Sequence, residues 1–130
     1  MDTVILIMKR PGNIRVMRQA LTQVDIDGIG VSSEAELQAA FRAVGNVPAM
    51  IDVTGFGQAV WRMCATLQER GNPFIVLSAP KDLEAGSHSL RFGAASVLQK
   101  PVTKTAIIQL VRELVGVASD DHERDPQDLE

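Results

Sequence analysis

Three residues of different chemistry, Asp52, Ser78 and Lys100, each stand at the end of a short strand-like run in this 130-residue sequence. Such runs are typical of strands buried on both faces of a parallel sheet, and the carboxyl ends of neighbouring parallel strands meet at one edge. A carboxylate, a hydroxyl and an ammonium converging there could hold a phosphoryl group, with the carboxylate as nucleophile, the hydroxyl as hydrogen-bond partner and the lysine as charge partner. The same spacing equally suits a structural ion pair between Asp52 and Lys100 beside a helix-capping serine.

The elements that would position these residues alternate along the chain. Apolar runs predict five strands, and apolar residues at helical spacing predict a helix after each strand. Ser33 and Glu36 form a capping box for the second helix, and Thr103 can cap the last. The strands are predicted at 4–8, 26–31 (with two glycines, near a sheet edge), 49–53, 74–77 and 96–99, and the segment 82–92 is only weakly helical. Strict alternation predicts an α/β fold, a five-stranded parallel sheet with helices on both faces.

Length and composition limit the class of protein. The chain is long enough for one domain, predicted at residues 1–117, and residues 118–130 are predicted to be a charged flexible tail or the start of a linker because apolar residues nearly vanish there. A net charge of −3 gives no indication of direct nucleic-acid binding. The apolar runs are too short to cross a membrane and no signal peptide is evident, so we expect a cytoplasmic protein. Cys64 lies in an apolar helical pattern and is predicted to be a buried hydrophobe.

Four segments resemble a known family, the CheY-like response-regulator receiver domain. They are Ile5-Leu6-Ile7-Met8, Met50-Ile51-Asp52, Ile75-Val76-Leu77-Ser78-Ala79 and Gly93-Ala94-Ala95-Ser96-Val97-Leu98-Gln99-Lys100-Pro101. The resemblance implies a flavodoxin-like (βα)5 fold with strand order 2-1-3-4-5. It also implies that Asp52 occupies the phospho-acceptor position, Ser78 that of the switch hydroxyl and Lys100 that of the lysine in the closing Lys-Pro block.

The sequence departs from the family pattern at the positions that govern phosphorylation. Receiver domains carry a Mg²⁺-binding acidic pair after the first strand, where this chain has Lys9 and Arg10. Two fixed positive charges would repel a metal that needs carboxylate ligands, so neither a metal site nor a cofactor is expected. Val97 stands where the family commonly has a switch aromatic, and the loop after Asp52 lacks the usual Met-Pro segment.

These departures predict an atypical receiver-like signalling module that works by protein–protein interaction, is independent of Mg²⁺-dependent aspartyl phosphorylation and is not an enzyme. The alternative is a working receiver of a two-component system, phosphorylated on Asp52, with Lys9 and Arg10 partly replacing the metal's charge. The expected partner is a sensor histidine kinase or another signalling protein, and a homodimer could form through the fourth helix, the fifth strand and the last helix. A small α/β enzyme or nucleotide binder is disfavoured because the sequence has no P-loop, G-x-G-x-x-G motif or catalytic triad.

Overall fold

The computed structural model describes residues 2–78, 94–100 and 103–123 of the chain. The predicted weak helix at 82–92 and the last part of the predicted tail lie outside these residues. The strands are β1 (Asp2–Ile7), β2 (Ile26–Val31), β3 (Ala49–Asp52), β4 (Phe74–Ser78) and β5 (Ser96–Gln99). The helices are α1 (Pro11–Thr22), α2 (Glu34–Val44), α3 (Ala59–Arg70) and a C-terminal helix (Lys104–Glu123).

The five strands form one parallel sheet in the order β2-β1-β3-β4-β5. This order confirms the predicted flavodoxin-like architecture and places β2 at an edge, as its glycines indicated. The order reverses direction between β1 and β3, which is where open α/β sheets hold their sites, outside the carboxyl ends of the strands.

Both faces of the sheet are covered, because alternate residues of each central strand point to opposite sides. In β1, Ile5 and Ile7 pack in the core under α2 and α3, while Val4 and Leu6 pack in the core under α1 and the C-terminal helix. All four side chains are fully buried. The continuous apolar runs of the sequence therefore correspond to strands buried on both faces, as predicted.

The predicted helix ends are present with their hydrogen bonds. Ser33 Oγ accepts from the Glu36 backbone N–H at 3.1 Å, and a carboxylate oxygen of Glu36 accepts from the Ser32 N–H at 2.6 Å. Thr103 Oγ1 accepts from the Ala106 N–H at 3.1 Å. The first helix begins at Pro11, and proline suits the first helical position because it has no backbone N–H to satisfy there.

Two glycines of β2 lie where a side chain would collide with its neighbours. A Cβ atom on Gly30 would stand 2.4 Å from Ile14 Cγ2 in α1, and one on Gly28 would stand 2.8 Å from Leu6 Cδ1 in β1 and 3.3 Å from Arg18 Cγ in α1. Close packing against α1 and β1 therefore favours glycine here, in addition to the edge position inferred from the sequence.

Three further sequence expectations can be compared with the structure. Cys64 is buried in α3, as predicted, and burial raises the pKa of its thiol to about 12. None of the helices in the described part of the chain combines the length and apolar character needed to span a bilayer. The C-terminal helix continues to Glu123, so the domain boundary predicted at residue 117 falls within it and stays a prediction.

Candidate functional site

The sheet brings the three polar positions to one edge on neighbouring strands. Asp52 is the last residue of β3 and pairs with Leu77, Ser78 is the last residue of β4 and pairs with Gln99, and Lys100 follows β5 directly. Their convergence follows from the parallel register, because each strand ends within one residue of its neighbour.

Asp52 is buried and both of its carboxylate oxygens are engaged. Its side chain is 8% exposed, and Oδ2 lies 2.6 Å from the Lys100 ammonium. Oδ1 accepts a hydrogen bond from the Thr54 backbone N–H at 3.0 Å, a turn in which the side chain of an aspartate binds the backbone two residues later. The ammonium and the amide thus give each buried carboxylate oxygen a polar partner.

Lys100 connects the three strand ends. Its backbone N–H donates to the Ser78 carbonyl at 2.7 Å, and its ammonium donates to Thr54 Oγ1 at 3.2 Å as well as pairing with Asp52. The Lys100 side chain is 31% exposed and lies on the solvent side of the site, whereas Asp52 is the more deeply buried of the two.

Thr54 is the site residue that the sequence reasoning missed. The sequence identifies it only as part of a loop that departs from the family pattern, yet it contacts both Asp52 and Lys100. The signal that could have found it is its spacing, since the second residue after a turn-forming aspartate is the usual donor to that side chain.

Ser78 takes part through its backbone alone. Its side chain is buried, at 1% exposure, and its hydroxyl makes no hydrogen bond to another of the described residues. The structure therefore brings the side chains of Asp52 and Lys100 together as the sequence suggested, and places Ser78 at the end of β4 without a side-chain hydrogen bond to either.

Lys9 and Arg10 lie between β1 and α1, and both are exposed. Within the described part of the chain neither forms an ion pair, and the ion-pair partner of Asp52 is Lys100. The Lys9 ammonium lies 5.7 Å from the centre of the Phe56 ring, which places it against the loop that follows β3. Arg10 caps α1 through its backbone, where its carbonyl accepts from the N–H groups of Asn13 and Ile14.

The loop after Asp52 packs against the side chain of Lys9. Gly55 adopts the left-handed region at φ +89°, which favours glycine, and a Cβ atom there would lie 3.3 Å from both Cβ and Cγ of Lys9. The methylenes of Lys9 thus support the loop from the β1 side, while its charge remains near the surface.

Val97 lies in the middle of β5, opposite Val76, and is half-buried against the core under α2 and α3. Its predicted role as the switch position concerns a rearrangement on activation and stays a prediction. In this conformation its side chain serves as apolar packing at the edge strand of the sheet.

No protein-family model and no curated protein matches the chain. Solved structures do match, among them a response regulator receiver domain protein from Clostridium thermocellum, at 15% identity over 92% of this chain and 98% of that one with a TM-score of 0.79. A response regulator receiver protein from Burkholderia phymatum is 22% identical over 89% and 96%, with a TM-score of 0.76. The receiver domain of a signal transduction histidine kinase from Syntrophus aciditrophicus is 18% identical over 89% and 91%, with a TM-score of 0.78. Similarity at these identities establishes a shared fold.

Proposed function

We propose that this chain, which has the fold of response-regulator receiver domains, is a signalling module that acts through protein contacts and does not depend on Mg²⁺-dependent phosphorylation of Asp52. The observation that carries the proposal is the state of the Asp52 carboxylate. One oxygen is paired with Lys100 and the other accepts from Thr54, while the two residues that follow β1 are cations.

Among the residues that the structure describes, the side chains at this edge do not suit a magnesium ion. Mg²⁺ takes oxygen ligands and in protein sites relies on carboxylates. The described residues that follow β1, β3 and β5 (8–10, 53–58 and 100) add no carboxylate to Asp52 and bring Lys9, Arg10 and Lys100. Such a formal excess of two positive charges opposes metal binding. Phosphoryl transfer in which a metal aligns the attacking and leaving oxygens is correspondingly disfavoured.

The second candidate is a working phospho-acceptor. It is favoured by the position of Asp52, Ser78 and Lys100 at the ends of three neighbouring strands, the arrangement expected for a carboxylate, a hydroxyl and an ammonium around a phosphoryl group. In that case Lys9 and Arg10 would supply part of the positive charge that a metal ion otherwise provides.

Protein contacts are the output that the proposal requires. The partner is a sensor histidine kinase or another signalling protein, and the chain itself is not an enzyme. A homodimer through β5, the C-terminal helix and the segment 82–92 is the form of contact we favour, although 82–92 lies outside the described residues. It is supported by β5 being an edge strand, whose free backbone groups and half-buried side chains can be covered by a second copy.

Phosphorylation and metal binding test the two candidates directly. The protein and an Asp52→Asn control are incubated with acetyl phosphate with and without Mg²⁺, and phosphate incorporation is measured by intact mass. In parallel, the backbone amides of Asp52, Thr54 and Lys100 are followed by NMR during a Mg²⁺ titration. We expect no Asp52-dependent labelling and no saturable shift. Mg²⁺-dependent labelling that disappears in the control would establish the second candidate instead.

A further inference from the structure

We propose that Thr54 is a positioning residue that holds the Lys100 ammonium on Asp52, so that the loop after β3 controls whether this carboxylate is covered. The inference rests on the proposed function, because it concerns how Asp52 is kept paired at a site without metal ligands. This role assigns a function to Thr54 in addition to Asp52, Ser78 and Lys100, and it makes the pairing of Asp52 depend on the conformation of the loop after β3.

The contacts form a closed ring. Asp52 Oδ1 accepts from the Thr54 N–H at 3.0 Å, Thr54 Oγ1 accepts from Lys100 Nζ at 3.2 Å, and Lys100 Nζ lies 2.6 Å from Asp52 Oδ2. Each of the three residues contacts the other two. Thr54 is the member that touches Asp52 through its backbone and Lys100 through its side chain, so it couples the loop conformation to the ion pair.

The ion pair with Asp52 does not by itself immobilise the Lys100 side chain, so a second acceptor helps to hold its ammonium in place. This side chain is partly exposed, and a lysine has a long flexible stem and an ammonium that water solvates well. The ion pair alone fixes one of its three donors. Threonine is branched at Cβ and restricted in χ1, so its oxygen is an acceptor held in place before the lysine arrives.

The loop that carries Thr54 is itself supported from β1. Gly55, at φ +89°, leaves room for Lys9, whose Cβ and Cγ would be 3.3 Å from a Cβ at that position. The Lys9 ammonium lies beside Phe56 of the same loop. A partner that shifts this loop would therefore move Thr54 and release Lys100 without touching Asp52.

The test measures the chemical accessibility of the Lys100 amine. The wild type, Thr54→Val and Thr54→Ser are labelled with trace acetic anhydride in the absence of Mg²⁺ and of any phosphodonor, and acetylation is quantified at each lysine by mass spectrometry. Valine keeps the branched shape and the backbone N–H but removes the hydroxyl, whereas serine keeps the hydroxyl. The exposed Lys104 serves as the internal reference.

We expect Thr54→Val to raise the labelling of Lys100 relative to Lys104 by about fivefold, which corresponds to roughly 1 kcal/mol, the worth of one such hydrogen bond. Thr54→Ser should stay within about twofold of the wild type. Asp52→Asn sets the rate of the released amine, and Thr66→Val is a matched control because its hydroxyl bonds the Arg62 carbonyl within α3.

An unchanged Lys100 rate in Thr54→Val would overturn the proposal, and so would a Thr54→Ser variant that behaves like valine, since the methyl group would then be responsible. If the valine variant does not fold, all its lysines label alike, and Thr54→Ala is measured in its place. Because no phosphodonor is present, this result is independent of the phosphorylation assay, so failure of the proposed function and failure of the positioning role are distinguishable.

Discussion

Removing either partner of the Asp52–Lys100 pair should destabilise the fold by unequal amounts. In Lys100→Met the buried carboxylate keeps only the Thr54 N–H, whereas in Asp52→Asn the amide keeps that hydrogen bond and the ammonium can turn to water. The side chain of Asp52 is 8% exposed and that of Lys100 is 31% exposed. We therefore expect Lys100→Met to lower the free energy of unfolding more than Asp52→Asn does, because it leaves a buried charge without its ion-pair partner.

The magnitude follows from the geometry. Two unit charges 2.6 Å apart attract by about 6 kcal/mol at an effective dielectric constant of about 20, and by about 1.6 kcal/mol in bulk water. Dehydration of the carboxylate opposes this attraction, as does the loss of roughly 1.5–2 kcal/mol of lysine side-chain entropy. A net coupling of about 1–2 kcal/mol lies between the values for exposed and fully buried pairs. Lys100→Met should then cost about 2 kcal/mol and Asp52→Asn about 1 kcal/mol or less.

The assay is a double-mutant cycle by urea unfolding at neutral pH, using the wild type, the two single variants and the double variant. Arg62 and Glu34 form a matched exposed pair at 2.7 Å, with 67% and 46% of their side chains exposed, and should couple by about 0.5 kcal/mol or less. A coupling at Asp52 and Lys100 no larger than at this control pair would refute the reasoning. An Asp52→Asn cost that exceeds the Lys100→Met cost would refute the argument from burial.

Three further outcomes are expected. The double change Lys9→Asp with Arg10→Asp should create Mg²⁺-dependent stabilisation of about 1.4 kcal/mol at a tenfold excess of metal over its Kd, measured by thermal unfolding, and its absence would show that these positions do not face a metal site. Gly30→Ala should cost about 1–3 kcal/mol in urea because its methyl group collides with α1, whereas Gly12→Ala, with open space around it, should cost nothing. Burial raises the pKa of the Cys64 thiol from 9.0 to about 12, so its contribution to stability is complete below pH 9 and is lost as the pH rises toward 12. Urea unfolding across that pH interval measures this loss of stability. A Cys64 thiol that reacts in the native state at mildly alkaline pH would contradict the raised pKa.

Much of the fold could be predicted because its determinants are local. Apolar runs such as 74–77 identify strands buried on both faces, and Ser33 with Glu36 identifies a helix start, since both depend on residues a few positions apart. The ends of those runs also identified Asp52 and Lys100 as neighbours, because parallel strands must bring their carboxyl ends together. The strand order and the roles expected of the site positions came from the resemblance to receiver domains, and the observed sheet confirms the order.

Other features depend on distances between segments far apart in the sequence. Charge alone does not decide which of Lys9, Arg10 and Lys100 pairs with Asp52. In the structure the partner is Lys100, 48 positions away, because β3 and β5 flank β4. Thr54 became a site residue only when its loop was placed beside Lys100. Residue types and periodicity determined which groups could meet at the edge of this sheet, whereas the packing of the loops determined which of them are within hydrogen-bonding distance, since that depends on a few ångströms that no local pattern encodes.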